Sequence, residues 1–323
     1  MILDRACIAR LLDMGESIKA VERVFSLFGR GKALMPPKIY LELKKYHGDF
    51  RAMPVFVEGM GAALKWVNVH PANLRKHLPT VMATIILSDP ATGAPLAILN
   101  GTQITNFRTG AAGGVAAKYL ARRDSSIIAL VGCGEQAKTQ LLALENLFRI
   151  TEVRVWGHQK ALVQRFLKNI PPKTFLFVAA PSIQECVGGA DIIVTTTPSR
   201  RPLVKFRWLK KDAHINAIGA DAPGKQELDV AILKKAKIVV DDWRQARHSG
   251  EINVALSQKA ISQGSIYAEI AEIINGKKKG RTNRDGITVF DSTGLAIQDV
   301  ALAYLVYKKA LKRKLGRPID LMG

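Results

Sequence analysis

The sequence predicts an α/β protein in which a doubly wound sheet is joined to a discontinuous α+β domain. Three observations predict it. Residues 115–295 alternate short Val/Ile-rich runs with helical stretches, as strands covered on both faces require. Residues 1–112 hold longer extended segments broken by turn signals, the pattern of a mainly antiparallel sheet. An amphipathic helix near the end of the chain, 297–311, returns to that first domain and completes it with residues 297–323. At about 150 residues per domain, 323 residues make two. The expected division is 1–112 with 297–323, and 113–296.

The first domain opens with a helix over 13–29, where Ile18, Val21, Val24, Phe25 and Leu27 form one apolar stripe. Extended segments follow at 38–43, 51–57, 62–69, 81–88 and 95–100, with Asp89-Pro-Ala-Thr-Gly93 as the turn between the last two. A helix of small residues begins at Arg108. In the second domain, strands are expected at 126–131, 153–156, 174–178, 191–195, 215–218, 237–241 and 287–290, with helices at 136–148, 161–167 and 182–187. The closing helix carries Val300, Ala301, Tyr304, Leu305 and Leu311 on one side and basic residues on the other.

Composition excludes several classes. Cys7, Cys133 and Cys186 are an odd number with no close pair, so no disulfide framework, zinc ribbon or CxxC redox motif is expected. No apolar run approaches the ~18 residues of a membrane span, and the charged N-terminus carries no secretory leader, so the cytoplasm is the expected location. The net charge of +21 concentrates anions near the surface. Basic residues cluster at Lys277–Arg281 and Lys308–Lys314, but no nucleic-acid-binding motif accompanies them, so they read as solvated faces and nucleic acid is not an expected partner.

Gly132-Cys133-Gly134-Glu135-Gln136-Ala137 follows the strand at 126–131 and opens a helix. This is G-x-G-x-x-A in the context that gives it meaning. Gly132 permits the tight turn, Gly134 lets a pyrophosphate approach the backbone, and Ala137 lets helix and sheet pack closely. A Rossmann-type dinucleotide-binding domain follows, with NAD or NADP as cofactor. The next strand ends at Trp156-Gly157-His158-Gln159-Lys160, with no carboxylate for a ribose 2′-hydroxyl. His158 and Lys160 would instead attract a 2′-phosphate, which favours NADP.

Lys38, Arg51 and Lys65 each sit among apolar neighbours in strand-like segments. A desolvated Arg grips a carboxylate through two parallel bonds, and a Lys adds a point charge. Taken singly, each reads first as a surface group with a buried stem. Arg108 and Thr109 begin the small-residue helix, a place suited to an anion. Asp221 and the run Thr195-Thr196-Thr197-Pro198-Ser199 end parallel strands, the edge where ligands of such sheets bind. His70 has no second histidine at metal spacing, and no HExxH, GxSxG or Walker A pattern is present; no metal is expected.

Together, Met35-Pro-Pro-Lys38, Arg51-Ala-Met-Pro54, Leu64-Lys-Trp-Val-Asn68, Leu78-Pro-Thr-Val81, Arg108-Thr-Gly-Ala-Ala112, the glycine turn, His214–Asp221, Gly224-Lys-Gln-Glu-Leu228, Gly250-Glu-Ile-Asn253 and Phe290-Asp-Ser-Thr-Gly294 resemble the ornithine cyclodeaminase/mu-crystallin family over nearly the whole chain, closest to its archaeal alanine dehydrogenase branch. The resemblance implies a homodimer built by the first domain, which also holds the substrate. It implies NAD(P)-dependent, reversible oxidative deamination of a small L-amino acid to a 2-oxo acid and ammonia. The alternatives it leaves open are reduction of a cyclic imine acid, ornithine cyclodeamination, or non-catalytic NADPH binding. Lys38 and Arg51 would bind the substrate carboxylate, with Lys65 beside it as a catalytic group and Thr80 nearby. Asp221 would handle the amino group, while Arg108 and Thr109 would meet cofactor phosphate. Gly132–Gln136, Gly157, His158, Lys160, Thr196, Thr197, Pro198, Ser199, Ala217, Ser292 and Thr293 complete the implied cofactor site. Around Gly157 the chain departs from the alanine dehydrogenase branch, which is acidic there, and resembles mu-crystallin, which prefers NADPH.

Overall fold

A computed structural model describes residues 1–282 and 285–320. The chain divides into two compact units, Met1–Arg108 with Leu295–Gly323, and Thr109–Gly294. Residues 109–112 thus go with the second unit and 295–296 with the first, because the division falls inside a helix at one crossing and just before one at the other.

The first unit begins with β1 (Ile2–Leu3), α1 (Arg5–Leu11) and α2 (Met14–Gly29). Asp13 caps α2 by accepting from the Glu16 amide at 2.8 Å, and Ile18, Val21, Val24 and Phe25 form its buried stripe. Then come β2 (Ala33–Leu34), β3 (Ile39–Leu43), β4 (Gly48–Val57), β5 (Gly61–Val69), β6 (Val81–Ser88) and β7 (Pro95–Asn100). They form one sheet in the order β1-β7-β6-β5-β4-β2, with β3 also on β4. Every pairing is antiparallel except β1 with β7, where the short first strand was not anticipated from sequence. Alternation puts Arg51, Met53, Val55 and Val57 of β4 on the buried face, with Ala63, Lys65 and Val67 of β5 beside them. Two cations are therefore threaded into an otherwise apolar layer.

Helix α3 (Gly101–Leu120) crosses from one unit to the other. It starts seven residues before the expected Arg108, since its small residues are buried on most sides and leave no helical stripe to read.

The second unit contains β8 (Ile127–Val131), α4 (Glu135–Glu145), β9 (Glu152–Trp156), α5 (Lys160–Lys168), β10 (Leu176–Ala179), α6 (Ile183–Val187), β11 (Ile192–Thr195), β12 (His214–Ala217), α7 (Val230–Lys235), β13 (Lys237–Val240), α8 (Trp243–Ser249), α9 (Asn253–Ser257), β14 (Ile266–Glu269), α10 (Ile270–Ile274) and β15 (Thr288–Asp291). All eight strands are parallel, in the order β10-β9-β8-β11-β12-β15-β13-β14, so the unit is a doubly wound sheet. The order reverses between β8 and β11, the switch point at which such sheets bind ligands. Register aligns Val131 with Thr195, Thr195 with Ala217, and Ala217 and Val240 with Asp291, so the loops that follow these residues leave from one edge. Strand β10 begins two residues later than expected, where Leu176 donates to the Thr151 carbonyl at 3.0 Å, and edge strand β14 escaped the sequence reading because only Ala268 in it is buried.

A polar ladder crosses this core. His214 bridges Thr288 and Asn216 at 2.9 Å each, Asn216 donates to the Gly113 carbonyl at 3.0 Å, and Gln140 donates to the Thr109 carbonyl at 2.8 Å. Burial pushes His214 down to about 3, so the ladder is neutral and pins α3 to the sheet without a charge to desolvate.

The closing helix, α11 (Ala296–Arg313), packs on β4, β5, β6 and α2 of the first unit, and the short bridge of Ile2 to Arg317 follows it. Part of the basic excess is structural: Lys309 donates to the Leu11 carbonyl and Arg281 to the Leu120 carbonyl, both at 2.6 Å. Among the described residues no helix is long and apolar enough to cross a membrane.

Candidate functional site

In the first unit two of the candidate residues, Lys65 and Arg108, meet at one carboxylate. Lys65 Nζ lies 2.6 Å from Asp299 Oδ2, and Arg108 Nε lies 3.1 Å from Asp299 Oδ1. Arg108 Nη1 also donates to Gln298 Oε1 at 3.0 Å. Lys65 and Asp299 are each 1% exposed and Arg108 7%, so this is a buried bridge with two cations to one anion. Burial lowers Lys65 to about 7; Asp299 opposes that fall, while Arg108 and Lys38 add to it.

Arg51 lies on the same face, with Arg51 opposite Val67 and Lys65 opposite Met53. Its guanidinium donates to both oxygens of Asp49, at 2.8 and 3.2 Å, and sits 5.2 Å from the centre of the Tyr40 ring. Lys38 is half-buried just before β3. Thr80 is half-buried just before β6, and its carbonyl accepts from the His70 amide at 2.8 Å. The sequence reading set Arg108 beside cofactor phosphate; the structure gives its guanidinium to Asp299 and Gln298, in one bridge with Lys65.

In the second unit the glycine turn links β8 to α4. Gly132 has φ +117°, a conformation that L side chains rarely adopt, and a Cβ there would meet Thr196 Oγ1 at 2.5 Å. That hydroxyl is buried without a hydrogen-bond partner among the described residues. Gly134 caps α4, and a Cβ built on it would meet nothing within 4 Å. Open space at a helix N-terminus, amide donors and an unsatisfied hydroxyl fit the pyrophosphate of a dinucleotide. Ala137 is fully buried against the sheet, Gln136 is half-buried, and Glu135 is exposed and paired with Lys138 at 2.8 Å. Gly157 ends β9 because Cys133 packs there: a Cβ would strike its Sγ at 2.7 Å. His158 and Lys160, just beyond, are exposed.

The loops at the sheet edge hang on buried acids. Thr197 donates through its amide and its hydroxyl to Glu227 Oε1, both at 2.7 Å, and Gly219 donates its amide to Oε2 at 2.9 Å. The Glu227 amide donates in turn to Glu251 at 2.8 Å, as does Leu228 at 2.7 Å. Thr293 donates to Asp241 through its amide at 2.7 Å and its hydroxyl at 2.9 Å, while the Ser292 hydroxyl is buried without a partner among the described residues. Burial pushes Glu227 up to about 6 and, with Asp241 as a like-charged neighbour, Asp291 up to about 8; burial and Glu227 hold Glu251 well above the carboxylate range. Asp221 stands on the loop after β12, with Oδ1 2.6 Å from Lys225 Nζ. Ala217 is the fully buried last residue of β12, Pro198 is exposed, and Ser199 donates to the Arg201 carbonyl at 2.7 Å. Among the described residues no group of three or more His, Cys, Asp or Glu could hold a metal ion.

Sequence reasoning missed Asp49, Glu227, Asp241, Glu251, Asp291, Gln298 and Asp299. One signal was available for Asp299: it is an acid within the apolar face of a closing helix otherwise rich in Ala, Val and Leu. Gln298 precedes it in that helix, and Asp241 and Asp291 stand at the ends of apolar strands; Asp49, Glu227 and Glu251 stand in polar stretches, where burial leaves no mark on the sequence.

The ornithine cyclodeaminase/mu-crystallin family model matches residues 1–314. The alanine dehydrogenase of Archaeoglobus fulgidus is 52% identical over 319 residues, 99% of this chain and 98% of that protein. A solved archaeal alanine dehydrogenase dimer with bound NAD superposes with a TM-score of 0.96 at 51% identity, covering 100% of this chain and 99% of that one. The Δ1-pyrroline-2-carboxylate reductase of Thermococcus litoralis, solved with NADH and L-proline, also gives 0.96, at 39% identity over 99% of this chain and 100% of that one. With its doubly wound sheet, its glycine turn and a match along almost its entire length, the chain belongs to the ornithine cyclodeaminase/mu-crystallin family.

Proposed function

We propose that this protein is an NAD(P)-dependent dehydrogenase that oxidises a small L-amino acid, alanine foremost, to its 2-oxo acid and ammonia, reversibly. The observation that carries this reading is the bridge in the first unit. Lys65 and Arg108 share one carboxylate, and the net positive charge left in a buried place suits a substrate carboxylate. The similarity to the Archaeoglobus alanine dehydrogenase supports the substrate class.

Lys38 and Arg51 grip the carboxylate of the amino acid, with Lys65 beside it. Arg51 is already held in a two-point geometry by Asp49, so its fork is pre-formed. Asp221 takes the proton of the substrate ammonium, because the amine must be neutral before an iminium can form at Cα. A nicotinamide dinucleotide held at the glycine turn would supply the hydride acceptor for Cα. Once it has passed that proton to solvent, Asp221 takes one from the water that attacks the imine carbon; protonation of the nitrogen and collapse of the carbinolamine then release ammonia and the 2-oxo acid. The glycine turn and Thr196 hold the dinucleotide. The absence of a carboxylate where β9 ends favours NADP over NAD.

The first unit leaves Leu34, Leu64, Trp66 and Ile86 37–69% exposed. Leu34, Leu64 and Ile86 line a groove of about 490 Å³ with Pro54 and Phe56. A second copy of the chain covers this face, by likeness to the alanine dehydrogenase dimer. Three unbridged thiols suit the cytoplasm.

The likeness to the Thermococcus reductase supports a second reading, reduction of a cyclic imine acid. One screen separates the readings: alanine, ornithine, proline and a cyclic imine acid, each with NAD(H) and NADP(H). Net formation of reduced cofactor with alanine is expected. Its consumption only with the cyclic imine acid favours the reductase, and ornithine loss without net reduction favours a cyclodeaminase. No turnover with any of them removes the enzymatic reading and leaves a binder.

A further inference from the structure

We propose that Asp299 is a positioning residue for the amino-acid half-site: its buried carboxylate spans Lys65 and Arg108, fixes their spacing, and keeps the Lys65 ammonium charged. Its value to catalysis rests on the dehydrogenase reading, but the electrostatic claim does not.

Three observations carry the proposal. The carboxylate uses different oxygens for its two partners, Oδ2 for Lys65 at 2.6 Å and Oδ1 for Arg108 at 3.1 Å. Neither cation can move without breaking a contact to the same group. Both Lys65 and Asp299 are 1% exposed, so water screens the pair little. Finally, Asp299 lies in the first turn of α11, and its neighbour Gln298 holds the other side of the Arg108 fork at 3.0 Å. The helix therefore presents two consecutive acceptors to one guanidinium, and this fixes the rotation of Arg108 as well as its distance.

The charges around Lys65 explain what the bridge does. From α3 comes Arg108, and from the segment before β3 comes Lys38; both repel its proton. On β4, the residue paired with Lys65 is Met53, with the Arg51–Asp49 pair further along the same strand. On β6 the paired residue is Ile85. Asp299, from α11, attracts that ammonium through both its charge and a hydrogen bond. A lysine desolvated by apolar neighbours and faced by two cations would otherwise shed its proton below neutrality and lose its pull on a carboxylate. Asp299 thus converts a stretch of β5 that would be neutral into a binding group, at a cost set by burying three charged groups together.

The test reads Lys65 itself. Carbamoylation by cyanate requires the free amine; followed at Lys65 by peptide mass spectrometry across pH, it reports the midpoint of its deprotonation whether or not the protein turns over a substrate. In Asp299→Asn that midpoint should fall by about one pH unit or more. A midpoint that stays or rises overturns the proposal. If circular dichroism shows that this variant does not fold, Arg108→Gln carries the same test with the opposite sign. Removal of the repelling guanidinium leaves Asp299 to Lys65 alone, so the midpoint must rise; no movement, or a fall, overturns the proposal. In parallel, calorimetric binding of pyruvate to the NAD(P)-loaded protein should weaken at a lower pH in Asp299→Asn than in the wild type, while NADH fluorescence titration of the second unit stays unchanged. If the wild type binds no 2-oxo acid but the Lys65 midpoints move as stated, the bridge stands and the dehydrogenase reading falls. If the wild type binds and turns over while the midpoints stay put, the bridge alone falls.

Discussion

The first unit buries cations and answers them with a carboxylate; the second buries carboxylates and answers them with backbone amides. Lys65 and Arg108 meet Asp299, whereas Glu227 meets the amides of Thr197 and Gly219, and Glu251 those of Glu227 and Leu228. The consequences run in opposite directions. Burial lowers Lys65 and raises Glu227, Glu251 and Asp291. The difference follows from what each unit is proposed to hold. A carboxylate substrate needs spare positive charge, supplied by side chains that a strand can point inward. A dinucleotide needs loops fixed at the ends of parallel strands, and such loops present amides, which acids tie together.

The largest effect should come from removing Asp221, the acid of the second unit proposed to work on substrate. Asp221→Asn should lower turnover by roughly 10²–10⁴ with NADH affinity retained, measured by steady-state kinetics and fluorescence titration. Full turnover in a folded variant removes Asp221 from the chemistry. The matching change in the first unit is Arg51→Ala. It should act on binding, raising KM for the amino acid by about 10-fold to 100-fold, in line with ~1.5–3 kcal/mol for a charged hydrogen-bonding pair, and change kcat less. An unchanged KM would take Arg51 out of the carboxylate site and break the assignment of cations to substrate.

How much of this was legible beforehand differs between the units in the same way. The parallel sheet was readable because strands buried on both faces are rich in apolar residues without strict alternation: β8, β11, β12, β13 and β15 all lie within or beside expected segments. The glycine turn was readable because its spacing follows a strand and opens a helix, and the positive φ of Gly132 leaves that position little choice of residue. Lys38, Arg51 and Lys65 stood out against apolar neighbours. What could not be read was pairing. Asp299 is 191 residues from Arg108 in sequence, and only the return of α11 joins them. Glu227 and Glu251 carry no sign of their burial in sequence, because the amides that meet them belong to the backbone, which has no residue identity. The start of α3 was missed for a related reason: burial on most sides erases the period from which a helix is recognised.

The smallest effect tests the contrast most directly, because it predicts opposite slopes of stability with pH in one chain. Asp291 is raised from 3.8 in the unfolded chain to about 8 in the fold, and Glu227 from 4.5 to about 6. A raised acid contributes stability that is complete below its unfolded value and is lost as pH climbs through its folded value, so the second unit should weaken from about pH 4 to 8. Lys65 runs the other way. It falls from 10.5 to about 7, so its contribution is complete above 10.5 and is lost as pH drops through 7. Hydrogen exchange separates the units, since peptides from β15 and β5 report each one by itself. Protection at β15 should decline between pH 5 and 8, after correction for the intrinsic exchange rate, while protection at β5 should grow between pH 7 and 10. Asp291→Asn should flatten the β15 slope and leave the β5 slope in place. With that titration removed, the variant should lose less of its Tm than the wild type as pH rises from 5 to 8. If both peptides instead follow one common slope, the two units do not bury charge with opposite sign, and the cation-for-substrate, acid-for-loop division has no electrostatic basis.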